Sequence, residues 1–357
     1  MKKTVLLVSL LFNSYLNGQT PSNDPHWQLV WEDDFTIFDN SKWVKANYAV
    51  HLPEPQIYLS SNAYCLNGKL VLKVNNNLVT CPSNPIQTTW VCGLATPSQT
   101  YPYNSGWVET KQAYNTQYGF IEARVKLPHG YGLWPAFWTF IGSGVSGSNV
   151  AEIDIFEMLG HQASNIVGTN IHKAYCDCYN YTCECGFMFD QICPDYDNTI
   201  LCNGQDLEFS NFTYTDWHKY GIEWTPSKIT WYIDDFPVRT TSNVGIIDPV
   251  RIILNLAIEP GYLPNSSTPF PSEMLVDYVK VYDLKNECTA NINTCNFNFL
   301  TYENKIKKEI TIGGNGCINS IPNSTFEFLR ATDGILIKGD FTVPTGSQLL
   351  LEVNPCY

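Results

Sequence analysis

Ten residues constrain this chain more than any others: Ala151–Gly160, AEIDIFEMLG. Three carboxylates, Glu152, Asp154 and Glu157, fall in a stretch that otherwise reads as a buried β-strand. Ile153, Ile155, Phe156 and Met158 supply the apolar, β-favouring remainder. Desolvating a carboxylate is costly unless it is paired or protonated, so acids held among such neighbours have a use. On a regular strand Glu152 and Asp154 share a face, and Glu157, at an odd offset from both, points away. One extra residue, a β-bulge near Ile155–Phe156, returns Glu157 to the same side, and bulges are common beside active sites.

A row of Glu, Asp and Glu on one face suits the chemistry of retaining glycosidases. They need a nucleophile and an acid/base with carboxyl groups about 5 Å apart. An intervening Asp can hydrogen-bond the nucleophile, and its charge helps keep the acid/base protonated. The same residues also read as an edge strand with a solvated acidic face.

The flanks decide between these readings. The motif resembles the catalytic signature of glycoside hydrolase family 16, in the bulged E-x-D-x-x-E form of laminarinases, agarases and carrageenases. The resemblance runs through Trp31–Phe35, Gly119–Trp138, Trp217–Asp235 and Asp277–Tyr282. It implies Glu152 as nucleophile, Asp154 as its partner and Glu157 as acid/base, although the residues alone would allow the two glutamates to exchange roles.

The resemblance also implies a cleft lined by Trp134 and Trp138, with His172 bonding substrate or Glu157, and Trp107, which stands where the family often has Arg, is a further candidate for binding substrate. Glu122 and Arg124 share a strand face and are expected to form an ion pair or a cleft-edge contact. Two loops depart from the laminarinase pattern, Pro53–Tyr58 (PEPQIY) and Glu259–Pro264 (EPGYLP). Tyr262 is expected to replace the missing Trp as a sugar-stacking platform. The resemblance further implies a structural calcium, rather than any cofactor for catalysis, at Asp34, Gly68 and Asp277, with Asp33 beside them, and oxygen-only ligands suit that ion.

Strand-like segments with regular turn breaks run through the chain, for example Gly119–Lys126, Ala136–Ile141, His218–Trp224, Lys228–Ile233 and Arg251–Ala257. No long amphipathic helical pattern competes with them. The expected fold is all-β, a two-sheet sandwich that the resemblance sharpens to a concanavalin-like jelly roll with its cleft across the concave sheet.

Residues 1–18 read as a signal peptide, with two lysines, the apolar run VLLVSLLF and a small residue at Gly18. Residues 19–285 form the catalytic domain, and 286–357 a small C-terminal β module. The expected location is extracellular, with no membrane span and no lipid-anchor cysteine. Loss of Lys2 and Lys3 with the leader takes the formal charge from −13 to −15. So acidic a surface argues against nucleic acid and against polyanionic substrates. The partner expected is a polysaccharide, met by a monomer.

Thirteen cysteines in an exported chain suggest disulfides, with at least one cysteine left over. Six crowd one segment, 174–205, which follows the neighbour of the catalytic strand and is expected to overhang one end of the cleft.

The leading expectation is an endo-β-glycanase acting on β-1,3- or mixed-linkage glucan. A hydrolase of algal galactans (agar, porphyran or carrageenan type), a transglycosylase and a non-catalytic glycan-binding jelly roll are the alternatives.

Overall fold

A computed structural model of the chain describes residues 20–353 except 23, 87, 90–91, 142–149, 175–200 and 303–304, together with the backbone of Val5–Val8. The cysteine-rich segment therefore lies almost wholly outside the described residues, as does most of the expected leader. The chain divides into two units, 1–16 with 32–280 and 17–31 with 281–357.

The larger unit is a β-sandwich. In its cleft sheet the order across the strands is Gln205–Phe209, Ile166–Ala174, Val150–Glu157, Leu133–Phe140, Arg251–Ile258, Trp107–Thr110 and Trp43–Lys45, all antiparallel. Val5–Val8 adds a parallel pairing to Gln205–Phe209 at one edge. The facing sheet runs Phe236–Ser242, Lys228–Ile233, His218–Trp224, Gly119–Lys126, Ser272–Leu284, Leu70–Val74 and Ala63–Cys65.

Alternation puts Ala151, Ile153 and Phe156 of the catalytic strand into the core, all fully buried. Phe156 meets Phe137 of its own sheet at 5.9 Å and Tyr220 of the facing sheet at 4.8 Å between ring centroids. Every residue of Arg251–Ile258 is buried, as befits a central strand covered on both faces. The fold is the expected all-β jelly roll.

Gly160 closes the catalytic strand's exit. Its N–H donates to Leu133 O at 2.8 Å, and an added Cβ would sit 2.0 Å from Gly130 O. Gly160→Ala must push two backbone segments apart, and we expect it to cost about 1–3 kcal/mol. Thermal melts of the purified variant check this, and an unchanged Tm would contradict it.

The smaller unit carries four long strands, Asn286–Thr294, Ile306–Ser320, Phe326–Thr342 and Gln348–Val353, paired in parallel in that order. Its core gathers Phe299, Ile310, Ile312, Ile321, Leu329 and Ala331. A buried ionic network adds to it: Arg330 bonds Glu352 at 2.6 Å and approaches Asp24 at 3.5 Å, and Asp24 holds His26 at 2.8 Å. A disulfide joins Cys295 to Cys317, and Cys288 is disulfide-bonded as well. The expectation of cross-links does not extend to the N-terminal cysteines. Cys65 and Cys81 are free thiols, and Cys92 is a thiol packed in the core.

Candidate active site

The catalytic strand carries the anticipated bulge. Against Leu133–Phe140, Asp154 pairs with Trp138 but Phe156 with Phe137, so Ile155 is the extra residue. Against Ile166–Ala174, the register shifts between Asp154 and Glu157. As a result Glu152, Asp154 and Glu157 all line one cleft of about 290 Å³, together with His51, Glu54, Trp134, Ala136, Trp138 and Asn255.

Burial and charge set the state of the triad. Glu152 and Asp154 are 6% and 2% exposed. Burial, then the negative charges of Asp154 and Glu157, push the Glu152 carboxyl well above its ordinary value of 4.5. Glu157 is less buried and accepts the indole N–H of Trp134 at 3.1 Å. One carboxyl is thus enclosed beside a like charge, and the other is more open and held by a neutral donor.

His172 lies opposite Glu152 in register, with Nε2 3.3 Å from Asp154 and 3.8 Å from Glu152. It stands beside these two carboxylates. Asn170 Nδ2 donates to the same Nε2 at 2.7 Å, its amide orientation set by the Ile171 N–H bonded to Oδ1 at 3.0 Å. Among the described residues Glu152, Asp154 and His172 are the one trio of side chains close enough to hold a metal ion. The Asn170 amide N–H points at the ring nitrogen whose lone pair an ion would need.

Of the expected aromatic binders, Trp134 faces the cleft. Trp138 also lines it but is 5% exposed, its Nε1 bonded to Asn255 at 2.8 Å, so it offers little more than an edge. Trp107 is a correction. It is wholly buried, packed edge-on against Trp138 at 5.4 Å, and has no face to give a sugar. Tyr262 is 44% exposed and stacks on His161 at 3.7 Å, whose Nδ1 is held by the buried Glu259 at 2.5 Å.

Glu122 and Arg124 lie in the facing sheet, away from the cleft, and are not paired with each other. Glu122 accepts from Tyr278 and Arg124 bonds Asp277.

The residues expected to hold calcium do not form an oxygen cage. Asp277 is held by Lys69 at 2.6 Å and Arg124 at 2.7 Å, and the same Lys69 ammonium is 3.4 Å from the Gly68 carbonyl. Asp34 accepts from Thr36, and Asp33 from Phe35 and Trp43. Lys69 supplies the positive charge that an ion would bring, and no calcium is derived from this set.

Sequence reasoning missed His51 and Glu54. Glu54 is a fourth carboxylate on the cleft, 6% exposed, held by Tyr58 OH and Gln56 Nε2, each at 2.6 Å, and it bonds His51 Nδ1 at 3.1 Å. Tyr58 in turn accepts from Asn255. For Glu54 the clue was an acid inside the loop Pro53–Tyr58, already marked as unusual, and His51 lies just ahead of that loop.

A cleft across one sheet of a β-sandwich, with two glutamates and an aspartate facing each other and a tryptophan beside them, defines a glycoside hydrolase. The pattern described as Glycosyl hydrolases family 16 matches residues 59–248, and the chain belongs to that family. It is 30% identical to the glucan endo-1,3-beta-glucosidase A1 of Niallia circulans over 71% of this chain and 37% of that protein. It is 27% identical to the beta-glucanase of Rhodothermus marinus over 79% of this chain and 94% of that one. The chain thus spans little more than a third of the first relative and nearly all of the second. Among solved structures, the endo-beta-1,3-glucanase from Pyrococcus furiosus superposes with a TM-score of 0.56 at 26% identity, covering 72% of this chain and 95% of that one.

Proposed function

We propose that the protein is an endo-acting β-glucanase that hydrolyses β-1,3- or mixed β-1,3/1,4-glucan with retention of anomeric configuration. The observation that carries this reading is the bulge, which brings Glu157 onto the face of Glu152 and Asp154. In the first step Glu152 attacks the anomeric carbon and the glycosidic C–O bond breaks. Glu157 gives its proton to the departing oxygen. In the second, water attacks the same carbon, gives a proton to Glu157 and releases Glu152. Trp134 positions the acid/base through its N–H bond and offers its ring to a sugar.

The enzyme acts as a monomer on a polysaccharide and is exported by its leader. Among the described residues no helix is long and apolar enough to cross a membrane.

A second reading, an algal galactan hydrolase, is favoured by Glu54 on the cleft and by Tyr262, which stacks on His161; Glu54 and Tyr262 lie in the two departing loops. Assays on laminarin, lichenan, agarose, porphyran and carrageenan, with reducing ends and product lengths, separate the two. Oligosaccharides from laminarin or lichenan are expected. Products from agarose or porphyran alone would transfer the assignment to galactans.

The ionisation of the triad gives a further expectation. Glu152 must be an anion to attack, and its pKa is raised, so the acid limb of the kcat/KM profile lies above 4.5. Asp154→Asn removes a neighbouring negative charge, which favours the Glu152 anion and moves that limb to lower pH. A limb that stays put in the residual activity of the variant would contradict this.

A further inference from the structure

The bulge must be held by something, because it takes Asp154–Glu157 out of register with both neighbouring strands. Support comes from the facing sheet. Trp231, 1% exposed, donates its indole N–H to the backbone carbonyl of Asp154 at 2.8 Å. Arg239, its partner in register on the next strand, lays its guanidinium over that indole at 4.4 Å. The same guanidinium donates through Nη1 to the carbonyl and hydroxyl of Thr169, at 2.9 and 2.8 Å, and through Nη2 to Asn203 O.

Thr169 is the residue between Gly168 and Asn170, which pair with Glu157 and Asp154. Arg239 therefore grips the neighbouring strand where the bulge sits, while Trp231 grips the bulge itself.

A buried arginine is costly and is retained where its fork meets fixed acceptors. Burial draws this one down to about 10, while the negative charge of Asp154 opposes that shift, so it stays charged in the working range.

We propose that Trp231 and Arg239 are positioning residues for catalysis. Acting from the facing sheet, they fix the backbone of the catalytic bulge and thereby aim Glu157 at the leaving-group oxygen. The proposal rests on the assignment of Glu157 as acid/base.

Its test is selective. Trp231→Phe keeps a ring for Arg239 to cover and removes only the donor, and Arg239→Met keeps an unbranched chain and removes the fork. We expect each to lower kcat on β-glucan about tenfold or more while KM stays within about twofold, because misaiming affects the transition state and spares binding. Formation of the glycosyl-enzyme from an aryl glycoside with a good leaving group, which needs little acid help, should fall by less than about threefold. Equal losses on both substrates, or wild-type kcat on both, would overturn the proposal.

Wild-type turnover is established first, so that failure of the functional reading appears as an inactive wild type. Hydrogen exchange at the amides of 155–158 reads the bulge without turnover. Trp231→Phe should speed exchange about tenfold, the equivalent of one lost hydrogen bond. Unchanged exchange would overturn the proposal whether or not the enzyme is active.

Discussion

Glu152→Gln is expected to abolish hydrolysis and raise thermal stability together. The amide keeps the shape of the side chain and cannot attack carbon, so kcat should fall by a factor on the order of 10^4. The stability gain follows from the environment. Glu152 is enclosed beside Asp154 and Glu157, and its carboxyl is pushed up from 4.5, so the folded state resists ionising it. A raised pKa stabilises the fold fully below the unfolded value and loses that contribution as pH rises through the folded value. Gln stays neutral throughout. Its advantage over wild type should therefore be negligible near pH 4 and grow to about 1–2 kcal/mol at neutral pH, the usual scale of such trade-offs between stability and activity. Calorimetry at the two pH values measures it. An equal Tm difference at both would contradict the raised pKa of Glu152, and residual activity of more than a few per cent would remove it from the nucleophile's place.

Glu157→Ala should separate the two chemical steps. On polysaccharide, whose leaving group is a poor one, loss of the proton donor should cost about 10²–10⁴ in rate. On an aryl glycoside with a good leaving group the glycosyl-enzyme still forms, because no proton is needed to expel it. Its breakdown then waits for water without a base. Azide needs no base, so it should accelerate turnover and yield the β-glycosyl azide by displacing Glu152. Failure of both the good leaving group and azide to restore turnover would show that Glu157 is not the acid/base.

Much of this site could be read from the sequence because its information is local. The odd spacing between Asp154 and Glu157 required a bulge, and the register places it at Ile155. Long-range partners left no such trace. Trp231 lies 77 residues from the carbonyl it supports, and nothing near either residue announces the bond. Trp107 was misread because its position in the family pattern does not show how much other chain covers the side chain. Here Trp138 and the Ala46–Ala49 segment bury it. Asp277 was read as an ion ligand from its place in the family pattern, yet its partners Lys69 and Arg124 come from two other regions of the chain. Glu54 was hidden in a loop whose departure from pattern was visible while its direction was not, and His51 lies just ahead of that loop. The sandwich itself was legible, since alternation and turn residues recur along the chain.

The most direct test of the central claim is the stereochemistry of the first product. Laminarin is mixed with the wild-type enzyme in an NMR tube and anomeric proton signals are followed from the first minute, before mutarotation. Double displacement through Glu152 and Glu157 predicts that new reducing ends appear as the β anomer and drift towards equilibrium. Initial appearance of the α anomer would contradict the account, since it would require a single displacement by water that this pair of glutamates is not arranged to perform.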